Sequence, residues 1–260
     1  MNTDELSITL IQSDIVWEDY QANINNFEKK IKQANETDLV ILPEMFSTGF
    51  SMNPKPIAQT MDGPVVEWMR ETAIKRNISI AGSIIIEDQG EYYNRFIWAS
   101  ADGSLHKYDK KHLFSFAGED KHFSMGSEKL IVKIKNWKVA TFICYDLRFP
   151  MWSRNIKEDY DLAIYIASWP EKRSEHWKVL LTARAIENQS YVVGLNRVGE
   201  DGNKISYSGD SMIVDPLGEM LFQEAYEETT YKHVLNKTKL NNIRQSFPFL
   251  KDADKFKMMA

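Results

Sequence analysis

The stretch Val139-Ala-Thr-Phe-Ile-Cys-Tyr-Asp-Leu-Arg-Phe-Pro150 passes from an apolar, β-prone run straight into polar and turn-forming residues. Its strand ends in Cys144, the single cysteine among 260 residues. Pro150 forbids the strand from continuing. A thiol is thereby placed at the mouth of a buried strand, where a ligand can reach it. A single cysteine in an intracellular enzyme is a candidate nucleophile. Free cysteine is also among the most buried residue types and often serves only as a small hydrophobe. This segment alone leaves both readings open.

Two further apolar runs end in the same manner. Residues 39–42 are Leu-Val-Ile-Leu and stop at Pro43 and Glu44. Residues 161–167 close on the polar, aromatic corner Ser168-Trp169-Pro170. Ahead of both, Ile24, Phe27, Ile31 and Ala34 recur at spacings of three and four, the mark of an amphipathic helix. Asp62-Gly63-Pro64 opens a second helix through about Asn77, and a third over 175–188 is expected to bury Trp177, Leu180, Leu181 and Ile186. Strands over 6–12, 78–86, 92–99 and 130–134, with turns at 88–90 and 101–103, predict an α/β chain. Adjacent hairpins make its sheets mixed rather than purely parallel. Late strands over 191–196, 206–215, 219–223 and 230–235 precede a helix near 237–245. No linker, low-complexity stretch or repeat interrupts residues 1–260, so one domain is expected, with a C-terminal arm at about 247–260 that packs on another surface.

Composition narrows the class. Hydrophobic residues make up 43% and charged residues 27%, ordinary for a globular protein. A formal net charge of −5 offers no footprint for nucleic acid or an anionic membrane surface. One cysteine forms no internal disulfide, the N-terminus is acidic where a signal peptide is basic, and no apolar run approaches the length of a membrane span. A cytoplasmic protein is expected. The five histidines show no H-x-x-x-H pair and no nearby cysteine, so a zinc site is not expected, and glycine-rich phosphate loops are absent.

In open α/β sheets, ligands bind outside the carboxyl ends of strands. If the three runs lie side by side, Glu44, Cys144 and Trp169 converge on one pocket. Taken alone, Glu44 could simply face solvent. Its neighbours Met45, Phe46 and Phe50 make its surroundings apolar, which would raise a carboxyl pKa toward the range of a general base. The basic cluster Lys107-Tyr-Asp-Lys-Lys-His-Leu-Phe114 is either a solvated face or the source of one inward lysine that stabilises an oxyanion. Residues 115–126 lack periodicity and read as a loop over something. Cys144 could also pair with His176, although His176 opens a helix beside Trp177 and a capping or core role fits it as well.

Leu42-Pro43-Glu44, Lys110-Lys-His-Leu-Phe114 and Cys144-Tyr-Asp-Leu-Arg148 resemble the three signature blocks of the nitrilase superfamily of carbon–nitrogen hydrolases, in the right order and over essentially the whole chain. Within it, residues 145–154, Ser168-Trp-Pro170, His176-Trp177 and residues 182–189 resemble the bacterial omega-amidase branch. The resemblance implies a four-layer αββα sandwich with two mixed sheets, paired into a homodimer. It implies hydrolysis of the terminal amide of small 2-oxo dicarboxylic acid monoamides such as 2-oxoglutaramate, with no metal or organic cofactor. It makes Glu44 the general base, Lys110 the oxyanion stabiliser, Cys144 the nucleophile and Glu119 a second glutamate beside them. The choice of Lys110 over Lys111 rests on the family pattern alone.

A substrate of that branch carries a carboxylate, which calls for an arginine or lysine. Arg173, just beyond the Ser168-Trp-Pro corner, is the candidate, with a plain surface residue as the other reading. Arg148 and Arg184 lie inside motifs and are expected to make structural ion pairs. The Tyr145 backbone N–H is expected at the oxyanion, and Phe46, Phe116 and Trp169 are expected to shape a small, partly apolar pocket. Two other readings compete: another nitrilase-type enzyme such as an N-carbamoyl-amino-acid amidohydrolase, and a catalytically silent binding protein of the same fold. The intact Glu44, Lys110 and Cys144 speak against the silent form.

Overall fold

Residues 3–254 and 256 are described by a computed structural model. The first half of the chain contributes β1 (Glu5–Gln12), α1 (Tyr20–Gln33), β2 (Leu39–Ile41), α2 (Pro64–Arg76), β3 (Ser79–Asp88), β4 (Glu91–Ala99) and β5 (Leu105–Asp109). Next come β6 (Leu130–Ile134), β7 (Trp137–Ile143), α3 (Pro150–Ser153), β8 (Leu162–Ala167) and α4 (Ser174–Asn188). The rest forms β9 (Tyr191–Asn196), β10 (Val198–Glu200), β11 (Ser206–Val214), β12 (Met220–Ala225), β13 (Thr229–Asn236) and α5 (Lys237–Ser246).

The strands build two mixed sheets. One runs β13-β1-β2-β3-β4-β5, and the other β10-β11-β9-β8-β7-β6 with β12 beside β11. Pairing is parallel at β1–β2–β3 and β7–β8–β9 and antiparallel elsewhere, as hairpin connections require. Side chains alternate across each strand, so β2 divides its apolar residues. Leu39 and Ile41 point into the core between the sheets, while Val40 and Leu42 face the layer holding Phe27, Ile31 and Met69 of α1 and α2. On the far side, Trp177, Leu181 and Ala185 of α4 lie on β9 and β11. Every central strand is covered on both faces, which is why these runs read as continuously apolar. The result is the expected αββα arrangement, and its structural neighbours share it. No helix among the described residues is long and apolar enough to cross a membrane.

Local signals set the helix ends. The Asp19 carboxylate accepts from the Ala22 N–H at 2.9 Å and caps α1, while Pro64 starts α2. Two details depart from expectation. Ile186 is half exposed, because α4 turns Arg184 and Asn188 inward instead, where Arg184 donates to the Leu147 carbonyl. Strand β10 is only three residues long and carries no alternation to reveal it. The proposed arm lies partly outside the described residues; within them, Phe249–Asp252 forms a short 3-10 turn and the Phe247 carbonyl accepts from Gln189 Nε2 at 2.7 Å.

Candidate active site

The three apolar runs converge, but across the sandwich. β7 and β8 are parallel neighbours in one sheet, whereas β2 belongs to the facing sheet. Beyond β2, Met45 adopts φ 45°, and its N–H bonds Ser83 Oγ at 2.9 Å, turning the chain so that Glu44 is fully buried. Lys110 follows directly on β5, with its N–H on the Asn94 carbonyl at 3.0 Å and its side chain fully buried. Lys111 extends outward instead, its ammonium lying 5.7 Å over the Trp152 ring. Cys144 opens a 3-10 turn, Cys144–Arg148, in the left-handed region at φ 45°. Asp146 braces that turn. Its carboxylate accepts from Ile143 N at 3.0 Å, His112 N at 3.0 Å and the Tyr108 hydroxyl at 2.6 Å.

Lys110 Nζ stands 2.9 Å from Glu44 Oε1 and 2.9 Å from Glu119 Oε2, and all three side chains are inaccessible to solvent. The other Glu44 oxygen accepts from the Ser168 N–H at 2.7 Å. Glu119 follows Gly118, whose φ of 77° turns the loop, and it also accepts from Phe114 N at 2.6 Å. Burial opposes the charge on Lys110, but the Glu119 and Glu44 carboxylates outweigh it and hold the ammonium well above its usual pKa. Burial raises the Glu119 carboxyl, with Lys110 opposing and Glu44 adding to the rise. Burial and the negative charge of Glu44 push the Cys144 thiol well above its ordinary range, against the pull of Lys110. The resting sulfur therefore holds its proton, with Glu44 and Lys110 packed beside it.

A cavity of about 1050 Å³ opens above the thiol, and Cys144, Tyr145, Phe116, Trp169 and Arg173 all line it. Phe46 does not. It is fully buried and packs edge-on to Phe27, with ring centroids 5.5 Å apart, because it faces the α1 and α2 layer. Phe50, not expected there, lines the cavity instead, its ring 5.1 Å from Lys110 Nζ. Arg184 makes the expected ion pair, with Glu187 at 2.9 Å. Arg148 does not: it lines the cavity, stacks over Trp169 at 4.8 Å and meets His176 Nδ1 at 3.1 Å. His176 therefore orients an arginine, not the thiol. Across the cavity the Arg173 guanidinium lies 5.4 Å over the Phe114 ring. Among the described residues neither arginine has a carboxylate within ion-pair distance, and no cluster of His, Cys, Asp and Glu is placed to hold a metal ion.

Sequence reasoning passed over Asn94, Asp146 and Tyr108. Asn94 interrupts an otherwise apolar or aromatic inward face of β4, and its Nδ2 donates to Glu44 at 2.7 Å. A lone polar residue in a buried strand was the available signal. Asp146 and Tyr108 sat inside recognised blocks, where nothing local distinguished a brace from a loop residue.

Comparison with known proteins agrees with this geometry. The carbon–nitrogen hydrolase family model matches residues 7–240. The chain is 44% identical to the omega-amidase YafV of Escherichia coli over 97% of its own length and 98% of that protein. It is 33% identical to the 2-oxoglutaramate amidase of Bacillus subtilis, covering 96% and 98% of the two chains. In structure it superposes on a CN-hydrolase superfamily protein from Xanthomonas campestris, solved with an arsenic adduct in the active site, with a TM-score of 0.96, 38% identity and coverage of 98% and 99%. The chain belongs to the carbon–nitrogen hydrolase family, enzymes that cleave amide C–N bonds.

Proposed function

We propose that this enzyme is an omega-amidase, releasing ammonia from the terminal amide of small 2-oxo dicarboxylic acid monoamides such as 2-oxoglutaramate. The observation that carries the reading is one cavity lined by Cys144, behind which Glu44 and Lys110 are buried, and by two guanidiniums, Arg148 and Arg173, that have no carboxylate partner among the described residues. The near-full-length likeness to omega-amidases supports it.

The chemistry follows from the positions. Cys144 attacks the amide carbon as its proton passes to Glu44, which lies in hydrogen-bonding reach. The carbonyl oxygen gains the negative charge. The Lys110 ammonium and the Tyr145 N–H, one of the free donors at the start of its 3-10 turn, stabilise that charge. Glu44 then returns the proton to the departing nitrogen, ammonia leaves, and a thioester remains on Cys144. Water that gives a proton to Glu44 attacks the thioester, and the collapsing intermediate frees the acid and the thiol. Glu119 keeps Lys110 charged and in place. At the far end, a planar guanidinium fits a carboxylate through two parallel hydrogen bonds, and a second meets the adjacent 2-oxo group. Trp169 and Phe114 hold the two arginines flat.

We further propose that the chain is one cytoplasmic domain that pairs into a homodimer through the outer face of α4 and the β11–β12 turn beside Ile186, where Val179, Ile186, Leu217 and Met220 are each exposed. The test of function is ammonia release from 2-oxoglutaramate, glutamine and N-carbamoyl-β-alanine side by side. The 2-oxo amide should give the highest kcat/KM. A best rate on the carbamoyl compound would replace this reading with an N-carbamoyl amidohydrolase.

A further inference from the structure

Asn94 has no place in the steps above, yet it touches both carboxylates. Its Nδ2 lies 2.7 Å from Glu44 Oε1 and 3.3 Å from Glu119 Oε1, and the residue is fully buried. Those same two oxygens also receive Lys110 Nζ, at 2.9 and 3.0 Å. The amide orientation is dictated by its neighbours, since an amide oxygen turned toward two carboxylates would face like charge. The consequence is an orphan: Asn94 Oδ1 is buried with no hydrogen-bond partner among the described residues. A residue kept only for packing would be apolar here and leave nothing unpaired. The site tolerates the orphan oxygen because it uses both amide protons.

Two carboxylates that close in a dry site tend to share one proton, as paired acids do. A shared proton would occupy the oxygen that must receive the thiol proton. We propose that Asn94 is a positioning residue whose amide, donating to Glu44 and Glu119 at once, keeps a proton from settling between them and so keeps Glu44 open as the base. The charged and titratable groups around the pair come from every neighbouring element: Lys110 after β5, Cys144 after β7, and Tyr207 of β11, whose phenol burial and Asp201 keep protonated. Of these only Lys110 is cationic, and its ammonium is divided between both carboxylates. The backbone N–H groups of Ser168 and Phe114 take the outer oxygens, and Asn94 is the second side-chain donor to the inner ones.

This inference rests on Glu44 acting as the base. The experiment is the pH profile of kcat/KM for ammonia release by Asn94→Ala, Asn94→Ser and the near-isosteric Asn94→Asp, with thermal melts of each. A second profile follows the rate of Cys144 alkylation by iodoacetamide. Asn94→Ala should move the acid limb of both profiles to higher pH by about one unit, a tenfold loss on that limb. Asn94→Ser should move it less, having kept one donor, and Asn94→Asp more, having added a third acid. Profiles lowered uniformly with the acid limb unmoved would overturn the proposal, as would full activity in Asn94→Ala. A Glu44→Gln enzyme that still releases ammonia would instead remove the base assignment itself.

Discussion

Cys144 is held at φ 45°, a backbone region that costs a non-glycine residue on the order of 1–3 kcal/mol. The turn keeps that conformation because Asp146 ties its first residues to Tyr108 and His112. Two outcomes separate chemistry from strain. Cys144→Ala and Cys144→Gly should both lose all ammonia release. In urea titrations the glycine variant should be the more stable of the two by about 1 kcal/mol, since glycine adopts φ > 0 freely. Equal stabilities would mean that the turn is not strained. Lys110 carries a different load, the neutralisation of two buried acids. Lys110→Met should abolish activity and destabilise the fold by about 3–5 kcal/mol at neutral pH, the cost of stranding buried charge. The pH dependence follows from Glu119, whose folded-state carboxyl is raised. A raised acid favours the fold when protonated, and that contribution is lost as pH climbs through its folded pKa. In the variant, where Lys110 no longer opposes the rise, stability relative to wild type should recover on going from pH 8 to pH 5. A gap that widens on acidification would contradict this account.

At the scale of elements, the site depends on three strand ends being held in register, and close contacts enforce it. Gly194 of β9 lies under α4, where an added Cβ would stand 2.2 Å from Leu181 Cδ1 and 2.9 Å from the Trp177 ring. Gly194→Val should lift α4 from the sheet and cost at least about 1–3 kcal/mol in urea unfolding. The Tyr108 hydroxyl joins β5 to the nucleophile turn through Asp146, and it accepts from Trp152 Nε1 at 3.1 Å. Tyr108→Phe removes a donor from a buried carboxylate, so about 1.5–3 kcal/mol of stability should go. Its kcat should fall more than its KM rises, because the turn that aims the sulfur loosens. The elements themselves were largely legible, since the central strands are predominantly apolar, β2 and β8 without a break, and turn-forming residues lie between them. Strand β10 was not, having three residues and two of them exposed. Ile186 was misplaced because helical spacing alone could not tell which of two apolar stripes meets the sheet.

For the whole molecule, the exposed stripe on α4 is where a second copy would add area. Ile186 already touches the β11–β12 turn, since a Cβ on Gly218 would lie 2.7 Å from its Cδ1. Sedimentation should find the wild type dimeric and Ile186→Asp shifted toward monomer, with Cys144 still alkylated at the normal rate. A wild type that sediments as a monomer would remove the interface.

The choice of Lys110 over Lys111 came from the family resemblance. The sequence by itself determined the α/β class, the order of the main elements and the places of Glu44 and Cys144 just past strand ends. These follow from local patterning, because periodicity and turn chemistry act over a few residues. Only the tertiary structure decided which residues face one another. Glu44 reaches Cys144 from the opposite sheet, Phe46 turns away into the helix layer, and Arg148 abandons an ion pair to stand in the cavity over Trp169. Those outcomes depend on sheet stacking and on which face of each strand is covered. Contacts between residues 50 to 124 positions apart, such as Asn94 with Glu44 or Ser168 with Glu44, leave no trace in a one-dimensional pattern. The lone thiol at a strand end meets Glu44 and Lys110 only through those distant contacts.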